Sequence, residues 1–230
     1  MRTLEITAYV GCPNMCHYCP QEALLRSYKG KMDMTYNDFI IILKHTPKDV
    51  RIDFSGFSEI FCHEQGAKFI REAFDQGYQI VLYTTLVGFQ SSDLEILKPV
   101  RFADLCFHAY PNYDKKWFDI KRKWFEDSIQ QGRIAEITKS NIWSRAGNYF
   151  DMPKKYGPFH CLFADKKFDH NIVLPNGDVY ICCQDYSLKQ PIGNLYTNDF
   201  DSLDRGKITA MSNEQDNECI CRYCELAQKE

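Results

Sequence analysis

The chain has 230 residues, a net charge of -3 at pH 7 and 44% hydrophobic residues, which is enough to build one large domain or one medium and one small domain. A net charge so near zero gives no support for nucleic acid as a partner. No run approaches ~18 consecutive apolar residues, and the N-terminal segment has no apolar signal core. We therefore expect a cytoplasmic protein without a membrane partner.

The cysteines are the most informative part of the composition. There are eleven of them, which is an odd number that a complete set of disulfides does not explain. Disulfide frameworks belong to exported proteins, whereas a cysteine-rich cytosolic chain more often binds metal. The cysteine count therefore predicts one or more metal sites.

The first element leads into a cysteine loop. Leu4 to Tyr9 predicts a short buried strand, and the loop VGCPNMCHYCP follows with C-x-x-x-C-x-x-C spacing at Cys12, Cys16 and Cys19. Iron–sulfur clusters are held by cysteine thiolates in short loops, and three ligands leave one iron open. Two alternatives stay open. Zinc is one, with His17 nearby, although zinc sites usually have paired cysteines; three unrelated buried cysteines are the other.

Helices and strands then alternate along residues 35–132. The predicted helices start at Thr35, His63, Ser92 and Trp117, and the predicted strands span Val50 to Phe54, Gln79 to Thr84 and Asp104 to Tyr110. This alternation predicts an α/β fold with a parallel sheet. Two extended segments follow, Ile134 to Ile137 and Asn141 to Ser144, too close together for a helix between them. Because a full eight-unit barrel needs about 250 residues, we expect a partial (β/α) barrel of about five to six parallel strands in residues 1–148.

The last of these helices has a conspicuous apolar stripe. It consists of Trp117, Ile120, Trp124, Phe125 and Ile129, spaced as one helical face. We expect this Trp-rich helix, together with residues after 150, to roof a pocket over the mouth of the barrel.

The cysteine loop resembles the signature of the radical S-adenosylmethionine (radical SAM) superfamily, in which an aromatic residue, here Tyr18, precedes the last cysteine. The resemblance implies a 4Fe-4S cluster on Cys12, Cys16 and Cys19, with S-adenosyl-L-methionine (SAM) on the open iron. It also implies reductive cleavage of SAM to a deoxyadenosyl radical, which abstracts hydrogen from a substrate. A reductant such as flavodoxin or ferredoxin would supply the electron.

The same resemblance suggests residues that contact SAM. Gly56, Ser58 and Glu59 resemble a G-x-G-E turn after the second strand, with Ser58 in place of the second Gly. Their expected partner is the amino group of the methionine part. The alternative for Glu59 is an ordinary exposed carboxylate.

Three later residues end predicted strands on the same side of the barrel. The resemblance implies that Thr84 lies near the ribose and that Arg145 binds the methionine carboxylate, which a guanidinium suits. His108 is expected at the same mouth. The alternatives are a structural histidine for His108 and a surface ion pair for Arg145.

A second group of cysteines follows residue 150: Cys161, Cys182, Cys183, Cys219, Cys221 and Cys224. Two short strands around Asn176 and Gly177 predict a tight hairpin. The spacing from Cys161 to GDVYIC resembles the SPASM extension in its shorter "twitch" form. The resemblance implies that residues 149–230 form a small domain of a β-hairpin plus a helix, with an auxiliary 4Fe-4S cluster on Cys161, Cys182, Cys221 and Cys224. A structural zinc site is the alternative.

The remaining cysteines, Cys62 and Cys106, lie in or beside apolar segments and are interpreted as packing residues. The sequence thus favours a radical SAM enzyme that oxidises or dehydrogenates a small molecule. A peptide- or protein-modifying enzyme of the same superfamily is the alternative. A hypothesis of another class is a non-catalytic binding module stapled by zinc.

Overall fold

One large, mostly parallel sheet organises the structure, a computed structural model that describes residues 1–14, 16–109, 114–138, 142–164 and 167–229. Its strands lie in the order β5-β4-β3-β2-β1-β7-β8-β9, and a second sheet pairs β6 with β10. The strands are β1 Thr3–Ile6, β2 Arg51–Phe54, β3 Ile80–Thr84, β4 Phe102–Ala109, β5 Arg133–Glu136, β6 Phe159–Cys161, β7 His170–Val173, β8 Asp178–Tyr180, β9 Pro191–Asn194 and β10 Ala227–Lys229. The helices are α1 Gln21–Ser27, α2 Tyr36–Lys44, α3 Gly66–Asp75, α4 Ser91–Leu97, α5 Lys115–Ser128 and α6 Arg205–Asn213.

The predicted α/β fold with a parallel sheet is confirmed. Strands β5, β4, β3, β2, β1 and β7 are parallel neighbours in turn, and β8 and β9 add to the edge in antiparallel pairing. Of the predicted strand ends, Tyr110 and Asn141 lie outside the described residues. Because the chain runs in the same direction in the six parallel strands, the loops that follow them meet at one edge.

Local sequence explains where these elements begin and end. Helix α2 starts with a capping box, since Thr35 Oγ1 accepts from the Asp38 amide at 3.2 Å and Asp38 Oδ2 accepts from the Thr35 amide at 2.8 Å. Such a box satisfies two amides that have no partner within the helix. Gly77 follows α3 with φ of +86°, the left-handed conformation in which a glycine commonly ends a helix.

The apolar face of α5 differs from the predicted stripe. Trp117 and Trp124 are 56% and 41% exposed, whereas Phe118 and Phe125 are buried. Phe125 packs against an aromatic group formed by Phe61, Phe89, Phe102 and Phe107. The prediction that Trp117 and Trp124 share the buried face is wrong, because the face is set by this aromatic group.

The C-terminal part of the chain continues the barrel sheet. Strand β7 pairs in parallel with β1, in register from Thr3 with His170 to Ile6 with Val173. The predicted hairpin is confirmed: β7 pairs with β8, and Gly177 in the turn has φ of +82°. The boundary at residue 148 stays a prediction, but strands from both sides of it form one sheet.

Within the described residues no helix is long and apolar enough to cross a membrane.

Candidate active site

The first cysteine loop leaves the end of β1 and enters α1. Gly11 adopts φ of +99°, a left-handed conformation that favours glycine, and the Cys19 amide donates to the Cys16 carbonyl at 2.9 Å. Cys12, Cys16 and Cys19 are free and partly buried. The predicted loop is therefore compact and folds its cysteines back on one another.

The three thiols of this loop interact electrostatically with one another, and tyrosine hydroxyl groups lie close to two of them. Burial, together with the charges of Cys19 and Cys12, raises the pKa of Cys16 to about 11, although a hydrogen bond from Tyr18 opposes the shift. The Tyr186 hydroxyl lies 3.3 Å from Cys19 Sγ, and Gln21 Nε2 lies 3.4 Å from the same sulfur. Thiolates crowded in this way need compensating positive charge, which metal ions supply.

This donor set fits an iron–sulfur cluster with one open iron, because it offers three unpaired thiols in one short loop. No three His, Cys, Asp or Glu side chains in the described part of the chain form a group that could hold a metal ion in their present positions. The ligands of a four-iron cluster bind separate irons and stand further apart than the ligands of one ion. The fit to a cluster therefore rests on the type and order of the donors.

The turn after β2 packs closely against β1. A Cβ on Gly56 would lie 2.5 Å from Thr7 Oγ1 and 2.6 Å from the Ile6 carbonyl oxygen, so packing alone requires glycine here. The Phe57 amide donates to Thr7 Oγ1 at 3.0 Å. Ser58 Oγ is buried and has no hydrogen-bond partner among the described residues, which leaves it available for a ligand.

Glu59 is held by the end of β3. It is only 5% exposed, and its carboxylate accepts from Thr84 Oγ1 at 2.7 Å and from the Thr85 amide and hydroxyl, each at 2.6 Å. Burial raises the pKa of Glu59 despite these hydrogen bonds. The alternative of an exposed carboxylate is thus wrong, because Glu59 is buried and bound by two threonines.

Arg145 lies inside the site with a strained backbone. Arg145 and Ala146 have φ of 54° and 52°, which is uncommon for residues other than glycine and is concentrated at functional sites. Burial disfavours the charge of Arg145, but the neighbouring Tyr186, Cys183 and Cys19 outweigh that effect and raise its pKa. Its Nε atom has no hydrogen-bond partner within the described chain, so a surface ion pair is the wrong interpretation.

His108 stacks on Tyr83, with ring centroids 5.7 Å apart. Burial and the charges of Arg133 and Arg145 lower the pKa of His108 to about 4. The imidazole is therefore neutral at physiological pH.

A cavity of about 690 Å³ occupies the interior of the barrel, and it is lined by Tyr18 of the first cysteine loop and by cysteines of the second group. Tyr18, His108 and Arg145 line it near the first loop, and Cys161, Cys182 and Cys224 line it near the second group. Among the described lining residues none belongs to α5. The expectation that the Trp-rich helix roofs the pocket is therefore not met by this cavity.

Charged side chains on the parallel strands form the cavity wall. His170 Nε2 lies 3.0 Å from Glu5 Oε1, Ser55 Oγ donates to Glu5 Oε2 at 2.8 Å, and Arg51 donates to Asp53 at 2.6 Å. Burial opposes the charge of Glu5, but His170 outweighs it and lowers the pKa of Glu5. Burial raises the pKa of Asp53 to about 6.

The sequence analysis did not predict this group of charged residues in the cavity wall. Its signal was present, because Glu5 and Asp53 are charged residues inside short apolar strands. Charged groups are buried only when they are paired or functional.

Five cysteines meet in the second group. Cys221 interacts electrostatically with Cys182, Cys219 and Cys224, and Cys161 at the end of β6 interacts with Cys182 and Cys224. Burial raises the pKa of Cys182 well above its ordinary value. The structure thus brings together the four predicted ligands and also Cys219.

The remaining cysteine of this part of the chain, Cys183, has different neighbours. It interacts with Glu5 and Arg145 and belongs to the cavity wall. Of the two cysteines predicted for packing, Cys106 is fully buried, and Cys62 Sγ donates to the Val87 carbonyl at 3.4 Å.

Comparisons with known proteins show which family and which solved structures the chain resembles. Residues 161–225 match the SPASM family, described as an iron-sulfur cluster-binding domain. The structure resembles that of BtrN in complex with AdoMet and 2-DOIA, with a TM-score of 0.68 and 16% identity over 94% of this chain and 88% of that chain. The chain has a radical SAM fold with a SPASM domain.

Two further solved structures share this radical SAM fold. A polyhistidine-tagged form of anSMEcpe with bound AdoMet has a TM-score of 0.58 and 12% identity over 97% of this chain and 83% of that chain. Streptococcus suis SuiB bound to the precursor peptide SuiA has a TM-score of 0.57 and 12% identity over 97% and 69%. No protein of curated function matches the sequence significantly.

The match confirms the predicted SPASM-type extension, and the structural similarity confirms the predicted radical SAM fold. Individual site residues are not tested by these comparisons. The roles of the seven cysteine ligands and of Tyr18, Gly56, Ser58, Glu59, Thr84, His108 and Arg145 stay predictions.

Proposed function

We propose that the protein is a radical SAM enzyme in which Cys12, Cys16 and Cys19 hold a 4Fe-4S cluster. When bound, the cluster and SAM supply one-electron cleavage of SAM to a deoxyadenosyl radical that abstracts hydrogen from a substrate. The observation that carries the proposal is a cavity that is lined by Tyr18 of the first cysteine loop and Arg145 and also by cysteines of the second group.

The residues around the first loop would position SAM. The partly buried guanidinium of Arg145, whose Nε has no hydrogen-bond partner within the described chain, suits the methionine carboxylate. The Ser58 hydroxyl, also without a partner among the described residues, lies in the turn predicted to meet the amino group. The Thr84 hydroxyl donates to Glu59 and also accepts from the Leu86 amide at 2.9 Å. Since Thr84 is already engaged, its part is to hold Glu59 in place.

The cavity favours oxidation of a small molecule. Its volume of about 690 Å³ lies in the range of small-molecule sites. Two acidic groups of its wall are paired with basic ones, Glu5 with His170 and Asp53 with Arg51, so this part of the wall offers hydrogen bonds without a large net charge. BtrN, whose structure holds AdoMet and 2-DOIA, shares the fold and supports this substrate class.

Oxidation of an alcohol also releases its hydroxyl proton, and the cavity wall provides acceptors. The pKa of Asp53 is raised to about 6 by burial, close to the pH at which general bases are effective. Cys161, Cys182, Cys221 and Cys224 would hold the auxiliary cluster, which would supply an acceptor for the one remaining electron.

A peptide substrate is the second candidate. Trp143 and Phe163 line the cavity, contact each other with centroids 5.6 Å apart and are 37% and 58% exposed. Such an exposed aromatic pair suits a peptide side chain, and SuiB was solved with its precursor peptide. Deoxyadenosine formation stimulated by peptides but not by amino alcohols would favour this candidate.

The test of the proposal is reductive SAM cleavage by the anaerobically reconstituted protein. With dithionite, or with flavodoxin or ferredoxin as reductant, we expect deoxyadenosine and roughly eight irons per chain if both clusters are four-iron. A colourless zinc protein that forms no deoxyadenosine would instead support a zinc-stapled binding module.

Replacing Cys221 and Cys224 together by Ala separates the two clusters. We expect about half of the iron to be lost, because only the auxiliary site is removed. Substrate-independent deoxyadenosine formation should continue, whereas substrate oxidation should stop. Iron analysis and deoxyadenosine quantification check this, with Cys106→Ala, on β4 and fully buried, as the matched control. Complete loss of SAM cleavage in a folded double variant would contradict the separation.

A further inference from the structure

Tyr186 brings a hydroxyl group from the SPASM domain to the first cysteine loop. It lies within residues 161–225, which match that domain, yet its hydroxyl is 3.3 Å from Cys19 Sγ. The residue is buried, and its ring packs on Phe57 with centroids 4.4 Å apart. Phe57 belongs to the turn after β2, so the tyrosine touches two loops of the barrel.

The segment that carries Tyr186 is tightly folded. The Asp185 amide donates to the Cys182 carbonyl at 3.1 Å. The Asp185 carboxylate accepts from the amides of Lys189 and Gln190 at 2.9 and 2.7 Å. Because Cys182 starts this segment, one short turn connects an auxiliary cysteine with a cysteine of the first loop.

We propose that Tyr186 raises the reduction potential of the first cluster by donating a hydrogen bond to Cys19 Sγ. The inference rests on the proposed function, which makes Cys19 a cluster ligand. A thiolate ligand has no hydrogen of its own, so the phenol hydroxyl is the donor in this contact.

The direction of the effect follows from electrostatics. Reduction adds negative charge to the cluster and its sulfurs, and a hydrogen bond to a sulfur stabilises the reduced form more than the oxidised form. Hydrogen bonds to the sulfurs are among the determinants of cluster potential. Gln21 Nε2, 3.4 Å from the same sulfur, is a second donor that remains when Tyr186 is changed. Tyr186 is thus a positioning residue of the barrel site, supplied by the SPASM domain.

The test is the midpoint potential of the first cluster in Tyr186→Phe, measured by redox titration with electron paramagnetic resonance on the full chain. The spectrum of a variant with Cys12, Cys16 and Cys19 all changed to Ala is subtracted to isolate the first cluster. We expect a shift to more negative potential that corresponds to about a tenfold change in the reduction equilibrium, or about 59 mV for one electron.

Tyr78→Phe is the matched control. Tyr78 is also buried, and its hydroxyl donates to the Leu43 and Thr46 carbonyls at 2.6 and 2.7 Å, but it precedes β3, at the opposite end of the sheet. The potential should not change in this variant. An unshifted or more positive potential in Tyr186→Phe, or an equal shift in Tyr78→Phe, overturns the inference.

A failure of the proposed function would give a different experimental result from a failure of this inference alone. If the wild-type signal persists in the triple cysteine variant, then Cys19 is no ligand, and the proposed function falls together with the inference. If the wild type has the cluster and forms deoxyadenosine while Tyr186→Phe keeps its potential, only the inference is wrong.

Discussion

Replacing Cys16 by Ala is expected to abolish SAM cleavage. Cys16 lies between the other two thiols in the loop, and its carbonyl accepts the hydrogen bond that closes the turn to Cys19. Removing a thiolate ligand leaves two donors for a cluster that needs three. Deoxyadenosine formation should fall by more than about 100-fold, which exceeds the usual effect of changes outside the ligand set.

Cys106→Ala is the control for the Cys16 variant. Cys106 is fully buried on β4, so its replacement tests loss of a cysteine without loss of a ligand. Iron content and deoxyadenosine should stay at wild-type levels in Cys106→Ala, and the iron content of Cys16→Ala should fall by about half. Wild-type cleavage in Cys16→Ala would remove the basis for the proposed cluster.

Replacing Arg222 by Met is expected to lower the free energy of unfolding strongly. Arg222 is 0% exposed. Its guanidinium donates to Asn217 Oδ1 at 2.9 Å and to four backbone carbonyls at 2.8 to 3.3 Å: those of Lys155, Gly157, Met211 and Glu214. Met has a similar length but no donor, so these buried acceptors would lose their partner. We expect the free energy of unfolding to fall by about 3–5 kcal/mol.

Denaturant unfolding of the protein measures this effect, and Arg26→Met is the control. The Arg26 side chain is 72% exposed, and surface substitutions usually change stability by less than ~0.5 kcal/mol. Arg222→Lys should also destabilise, because one ammonium group cannot reproduce a planar fork of donors. Equal stability of Arg222→Met and Arg26→Met would show that the buried network contributes nothing.

Local patterns were sufficient to predict much of the fold. The alternation of helices and strands, the helix start at Thr35 and the hairpin at Gly177 each depend on neighbours in sequence. The cysteine spacings likewise predicted two separate groups of thiols. Such features are encoded within a few residues, so no knowledge of distant contacts was needed.

Features that depend on distant contacts were not predicted. Helix α5 carries two overlapping apolar stripes, and only the aromatic group around Phe125 decides that Phe118, and not Trp117, is buried. The charged wall of the cavity depends on Glu5 and His170 meeting across 165 residues of sequence. The contact of Tyr186 with Cys19 spans 167 residues and leaves no local pattern in the sequence.

The parallel pairing of β1 with β7 has a consequence for folding and for truncation. Strand β1 lies between β2 and β7, so a chain ending at residue 148 would leave β1 as a bare edge with unpaired amides and carbonyls. Exposed edges of this kind template aggregation. The central strand of the sheet is completed only after most of the chain is available, and contacts so distant in sequence slow folding. The barrel and the SPASM domain are therefore expected to fold as one cooperative unit.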